Sequence, residues 1–194
     1  NLGDVTVTTN GAGDLIFTMG QFSYSAPAVR MLTLTASGNI NMSQVGSGGS
    51  AVHCLVNAGG NVTVDNPGWK TNGGNFTIAS AVGVTLSGTN VLTGGGNFSC
   101  TSSSLLSQNN GVATGGGNAS IVATGNIQIL DGGFSTCGSL TNGFFTAQGV
   151  DFTMSSQEIR TCGGNVTSNH TGNVTATATT GGGFFMSSGK DFTG

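Results

Sequence analysis

The sequence predicts an all-β protein, a single parallel β-helix (β-solenoid) of about eight coils of about 22 residues, expected to be right-handed. Three observations carry that prediction. Short blocks marked by Gly, Asn and Thr recur from near the first residue to the last. Between the glycines, apolar and polar residues alternate over four or five positions, the period of a strand with one buried face. No window supports a helix of about ten residues, because Thr, Ser, Asn, Gly and β-branched residues dominate throughout.

Three blocks define the repeat. The first reads Gly-Gly-Asn-apolar-Thr/Ser, at residues 73–77, 95–99, 116–120 and 163–167. The second reads Gly-Asn-apolar-polar-apolar, at 38–42, 60–64, 125–129 and 172–176, with a shorter form at 83–86. The third is a corner, apolar-x-Thr-x-Gly, at 16–20, 69–73, 91–95, 112–116, 134–138 and 159–163. The corner threonines Thr71, Thr93, Thr114, Thr136 and Thr161 lie 22, 21, 22 and 25 residues apart. That drift places loops of varying length between fixed strands.

Alternation sorts the faces. In Asn61-Val62-Thr63-Val64 the valines point inward and Asn61 and Thr63 outward. One inner column then holds Ile40, Met42, Val62, Val64, Val84, Leu86, Ile127, Ile129, Phe152, Met154, Val174 and Phe192. Another holds Val52, Phe76, Phe98, Ile121, Phe145, Val166 and Phe185. The outer column is Thr63, Thr85, Gln128, Thr153, Thr175 and Thr193, beside Asn39, Asn61, Asn126 and Asn173. Rungs about 4.8 Å apart give a rod roughly 40 Å long. The chain reads as one continuous solenoid domain over 1–194 with no separate cap.

Charged residues are 6% of the chain, against about 25% in an average globular protein. The net charge of −3 forms no basic patch, so the electrostatic footprint of a nucleic-acid binder is missing. Disorder is disfavoured, because 36% of residues are apolar and they alternate. No apolar run approaches the roughly 20 residues of a bilayer span.

The seven acids (Asp4, Asp14, Asp65, Asp131, Asp151, Glu158, Asp191) and the four bases (Arg30, Lys70, Arg160, Lys190) are scattered over different coils. Polysaccharide-cleaving β-helices need such groups clustered, to hold a metal and abstract a proton. Glu158 and Arg160 read as a surface pair. Asp65 and Lys70 read as the flanks of a solvated turn. His53 is expected at an outward place equivalent to Thr77 and Ser99, and His170 in a turn, neither with an acidic or Cys partner. Residues 183–190 resemble a phosphate loop, but the spacing is one residue too long and no helix follows. Residues 11–14 match only a fragment of a calcium-binding nonapeptide. The sequence therefore predicts no catalytic residue, no cofactor and no metal site, and a protein that is not an enzyme.

Cys137 and Cys162 occupy the same place in successive corners. Equivalent Cα atoms on adjacent rungs lie about 4.8 Å apart, inside the disulfide window. A staple there would imply an oxidising compartment; the alternative is two free thiols. Cys54 and Cys100 align with each other two rungs apart, too far to bond, with Ile78 on the rung between, and read as buried thiols. Eight N-x-S/T sequons begin at Asn41, Asn61, Asn75, Asn97, Asn118, Asn165, Asn169 and Asn173. The repeat consensus generates most of them, and outward positions such as Asn61 and Asn173 are open to glycosylation in a host that performs it.

Residues 73–77 (Gly-Gly-Asn-Phe-Thr) and 32–42 (Leu-Thr-Leu-Thr-Ala-Ser-Gly-Asn-Ile-Asn-Met) resemble the repeat region of large bacterial exoproteins of the filamentous haemagglutinin type. The β-helical shafts of those proteins carry similar Gly-Asn-apolar-Thr repeats. The resemblance is one of composition and covers most of the chain. It implies a secreted, surface or adhesive fibre and transfers no catalytic residue.

Strand-like sequence at both ends leads to the expectation that the rod continues. The expected partner is a second copy stacked head to tail, through Val5 and Val7 at one end and Phe192 and Thr193 at the other, or else further residues of a longer polypeptide. Surface glycans are a further expected partner. The expected role is a structural segment or subunit of an extracellular filament or surface adhesin. Two alternatives stand beside it: an ice-binding face of outward Thr and Asn, and carbohydrate binding through outward rings such as Trp69 and Tyr24.

Overall fold

The computed structural model describes residues 3–17, 28–43, 49–65, 68–88, 91–109, 111–131, 133–155 and 158–177, with the backbone alone of Phe185–Ser187 and Phe192–Thr193. It is a parallel β-solenoid. No helix occurs among the described residues, and the strands form three parallel sheets of nine, eight and six strands.

The chain visits the sheets in turn. Val52–Ala58 lies in the first, Val62–Asp65 in the second and Trp69–Lys70 in the third, and Phe76–Ser80 then returns to the first beside Val52–Ala58. Six windings carry a strand in all three sheets. The two windings before them carry described strands only in the first and second sheets. The molecule thus has about six full turns, where the sequence period counts about eight. The period counts every return to the first sheet, whether or not the third side forms a described strand.

Several column assignments shift. The first sheet has two inward columns, not one. Phe76 lies between Cys54 and Phe98, and Phe98 pairs with Ala119. Ile121 belongs to the second inward column, beside Cys100 and Ile78. Val52 pairs with Arg30. Cys54 and Cys100 therefore sit in different columns. Alternation fixes which face a residue takes, but not its register along the strand, and a slip of two residues keeps the face.

The last winding lies one side away from the phase the sequence predicts. Phe185 lies in the third sheet, opposite Glu158, and Phe192 and Thr193 lie in the first sheet, opposite Val166 and Thr167. No Gly-Asn block marks the side between Val174 and Phe185. At the other end, Ile16 is no corner. It stands in the second sheet opposite Asn41 and is exposed.

The core is solid. Leu34, Ile40, Ile78, Leu86, Ile127 and Ile129 are fully buried. Aromatic rings run through its middle. Trp69 meets Phe76 at 5.9 Å between centroids, Phe76 stacks on Phe98 at 6.1 Å, Phe98 meets Phe134 at 6.0 Å, and Phe134 meets Phe145 at 5.3 Å.

The paired glycines of the first block do separate jobs. Gly73, Gly95, Gly116 and Gly163 have φ between +102° and +123°, which a Cβ disfavours. Gly74, Gly96 and Gly117 have negative φ, but a Cβ on each would run into the backbone of the preceding winding.

Candidate functional site

The distinctive polar chemistry lies at the corners, where the strands end and backbone N–H groups need partners. At the entry to the first sheet one position carries Asn75, Asn97 and Asn118 on successive windings. The Asn97 N–H donates to Asn75 Oδ1 (2.9 Å), the Asn118 N–H to Asn97 Oδ1 (2.8 Å) and the Phe144 N–H to Asn118 Oδ1 (2.9 Å). His53 fills the same position one winding earlier, its Nδ1 accepting the Asn75 N–H at 3.0 Å. Asp4 does likewise for the Met31 N–H at 2.9 Å.

The entry to the second sheet repeats the device. Asp14 Oδ1 accepts the Asn39 N–H (2.7 Å), Asn39 Oδ1 the Asn61 N–H (2.9 Å) and Asp151 Oδ1 the Asn173 N–H (2.8 Å). Asn, Asp and neutral His share what this place requires, an acceptor reaching across one rung. This corrects the placement of His53, which aligns with Asn75 rather than with Thr77; Leu55 is opposite Thr77. It also gives Asp4, Asp14 and Asp151 a common structural task.

The third corner uses threonine. Thr71, Thr93, Thr114, Thr136 and Thr161 are completely buried. Each hydroxyl donates to a glycine carbonyl of its own turn, of Gly74, Gly96, Gly117, Gly143 and Gly164 respectively. A valine there would fit but leave those carbonyls unpaired.

Cys137 and Cys162 form a disulfide across consecutive windings, with Cα atoms 5.3 Å apart. It staples the longest corner, where Thr136 reaches Gly143 rather than a glycine three residues on. Cys54 and Cys100 are buried free thiols. Burial pushes both up, Cys100 to about 12 and Cys54 further.

Glu158 and Arg160 share an outward face, 3.9 Å apart and half exposed, an arrangement worth little in water. The Gly68 N–H donates to the Asp65 carbonyl at 3.3 Å, closing the turn expected there. Trp69 is buried, at 2% exposure, and is not an outward ring. It heads a strand of the third sheet and faces the core in line with Val91. Tyr24, Lys190 and Asp191 lie outside the described residues, as does most of 183–190. Among the described residues no three His, Cys, Asp or Glu come together as a metal site.

Two shallow depressions flank the ladders. One is bordered by Asp14, Asn39, Asn41, Asn61 and Thr63, the other by Met31, His53, Leu55, Asn75 and Thr77. The polar groups of both are largely those already engaged between rungs.

Comparison with family models, with curated proteins and with solved structures finds no match to this chain.

Of the sequon asparagines, Asn41, Asn61, Asn97, Asn118, Asn169 and Asn173 are exposed, and Asn75 and Asn165 are half-buried. Asn41 Oδ1 accepts from Ser43 Oγ, the hydroxyl of its own sequon, at 3.3 Å. The expected stacking residues occupy the two outermost strands of the nine-stranded sheet. Val5 and Phe192 lie on one register line, as do Thr6 and Thr193. Val5 and Val7 are half-buried.

Two predictions follow from the corners. Asn97→Ala leaves the Asn118 N–H without its acceptor and is expected to cost about 1–2 kcal/mol, whereas Asn97→Asp keeps the acceptor and most of the stability. Urea denaturation of both variants checks this. The second concerns His170, which packs on Phe152 with ring centroids 5.0 Å apart. Burial lowers its pKa below the ordinary 6.5, outweighing the upward pull of the Gly149 backbone and Asp151. The unfolded chain therefore takes up the proton at higher pH than the folded one. The contribution is fully present above about 6.5 and is lost as pH falls below it. His170→Phe is expected to flatten the fall in melting temperature between pH 7 and 5.

Proposed function

We propose that this chain is a non-enzymatic structural segment or subunit of an extracellular filament or surface adhesin, whose shaft lengthens by continued end-to-end stacking of β-solenoid rungs. One observation carries the reading: at many of the windings one rung offers the next the same kind of partner, an acceptor side chain at the corner. Acceptor side chains at two corners cross to the following rung, and the disulfide joins two rungs outright. Such a device has no built-in length, and energetics summed over nearest neighbours suit a shaft.

The disulfide supports an oxidising, extracellular setting. The resemblance to filamentous haemagglutinin-type repeats points the same way. Glycans, in a host that attaches them, belong on exposed asparagines such as Asn169 and Asn173. Stacking through Val5, Val7, Phe192 and Thr193 would extend the nine-stranded sheet along its existing register lines. Negative-stain microscopy and sedimentation of the purified chain over a concentration series test the assembly. Rods longer than one chain, growing with concentration, are expected. A chain that stays monodisperse with no filaments would overturn end-to-end stacking.

A further inference from the structure

The three sheets show different faces to solvent. The outward column nearest the first corner of the nine-stranded sheet runs in register from Thr6 to Thr167. It holds Thr or Ser at every described winding but one, where Leu55 stands. From Thr77 through Ser99, Ser120 and Thr146 to Thr167 it is an unbroken row of hydroxyls on five consecutive rungs. Two residues along, a second column carries Thr8, Thr35 and Thr101 among Asn57, Val122 and Gln148. Neither column contains a charged or aromatic residue among the described positions.

The other faces lack this regularity. The second sheet's outward column is broken by Ile16, Leu106 and Gln128. The third sheet presents Lys70 and Arg160. A charge orients water about itself and opposes a continuous lattice, so the uncharged face is the one suited to ordering water over a wide area.

The spacing favours one ligand. Rungs repeat at about 4.8 Å. In a tetrahedral network with neighbouring oxygens about 2.75 Å apart, second neighbours lie about 4.5 Å apart. The mismatch is about 0.3 Å per rung, within the spread of hydrogen-bond lengths for neighbouring rungs, and it accumulates to about 1.2 Å over the four steps from Thr77 to Thr167, so the match is local to two or three rungs at a time. Thr77, Thr146 and Thr167 are stiff at χ1, which holds their hydroxyls and methyls in a narrow range of positions, and all five hydroxyls stand on a sheet whose backbone is itself fixed. A preorganised array loses little side-chain entropy on binding.

We propose that the outward face of the nine-stranded sheet, centred on Thr77, Ser99, Ser120, Thr146 and Thr167, binds ice. The proposal is independent of the shaft reading, since it concerns a flank of the rod and not its ends. Thr146 and Thr153 allow a matched test, because they lie on the same winding with their outward positions in different sheets.

Thermal hysteresis and partition into a slowly growing ice fraction would be measured for the wild-type chain, Thr146→Lys, Thr167→Lys and Thr153→Lys, with circular dichroism to check folding. The wild type and Thr153→Lys are expected to enter the ice and depress its growth, and either folded lysine variant on the first face is expected to lose both activities. A wild type excluded from ice overturns the proposal, including one that instead binds powdered chitin or cellulose. So does equal activity in the variants of the two faces.

Discussion

Phe98→Ala is expected to cost about 3–5 kcal/mol, at the top of the range for a single side-chain truncation. Phe98 is fully buried at the centre of the rod. It stacks on Phe76 with planes 4° apart and meets Phe134 edge-on at 63°. Truncation removes ring contacts to the windings on both sides. The cavity cannot collapse easily, because the backbone around it is fixed by rungs above and below. In a one-dimensional array the damage also divides the rod, so the denaturant slope should fall as the two halves begin to unfold separately. Trp69, the single tryptophan, reports on one half by fluorescence, and circular dichroism reports on the whole. A loss under about 1 kcal/mol with coincident transitions would mean that the aromatic run does not couple the windings.

Removing the disulfide in Cys137→Ser/Cys162→Ser is the second large change. The bridge closes a loop of 25 residues, for which the chain-entropy account gives about 3.5 kcal/mol. The effect should be concentrated in the windings around the long corner at 137–143, detected as faster amide exchange there than around Cys54. Thiol counting makes an independent check. Native protein should not react with a thiol reagent, because Cys54 and Cys100 are buried with raised pKa values. Unfolding without reductant should expose two thiols, and unfolding with reductant four. Reactivity of Cys137 or Cys162 in the native, unreduced protein would contradict the bridge.

Much of this architecture was legible in the residues. The Gly-Gly-Asn and apolar-x-Thr-x-Gly blocks gave the solenoid and its corners, since only a chain that turns at fixed intervals needs glycine at fixed intervals. Two cysteines at equivalent corners left a Cys137–Cys162 staple and two free thiols both open, and the structure has the staple. The ladders were harder to see. Asn61 and Asn173 alternate with valines and so look like plain surface polar groups, and nothing in alternation says that a neighbouring rung's N–H lies within reach. A signal was present nonetheless: Asp4, Asp14, His53 and Asp151 stand where the consensus has Asn, and what these residues share is an acceptor. Taken as a lone aromatic Trp69 reads as an outward ring, but its corner block puts it in line with Val91, facing the core. The phase of the final winding is hidden in the sequence because its turn lacks the Gly-Asn block that marks sides elsewhere.

The threonine and asparagine arrays also account for the unusual composition. With most corner acceptors and donors supplied by Asn and Thr, and by Asp4, Asp14 and Asp151 at three places, the chain fixes its rungs with very few charges, and a rod of such low charge can repeat with little like-charge repulsion.

High-resolution electron microscopy of the native particle bears most directly on the proposed role as a shaft. The expected result is unbranched rods of uniform width, extending well beyond the roughly 40 Å of one chain, with an axial repeat of about 4.8 Å. Compact particles with no rod beyond a single chain's length would contradict it.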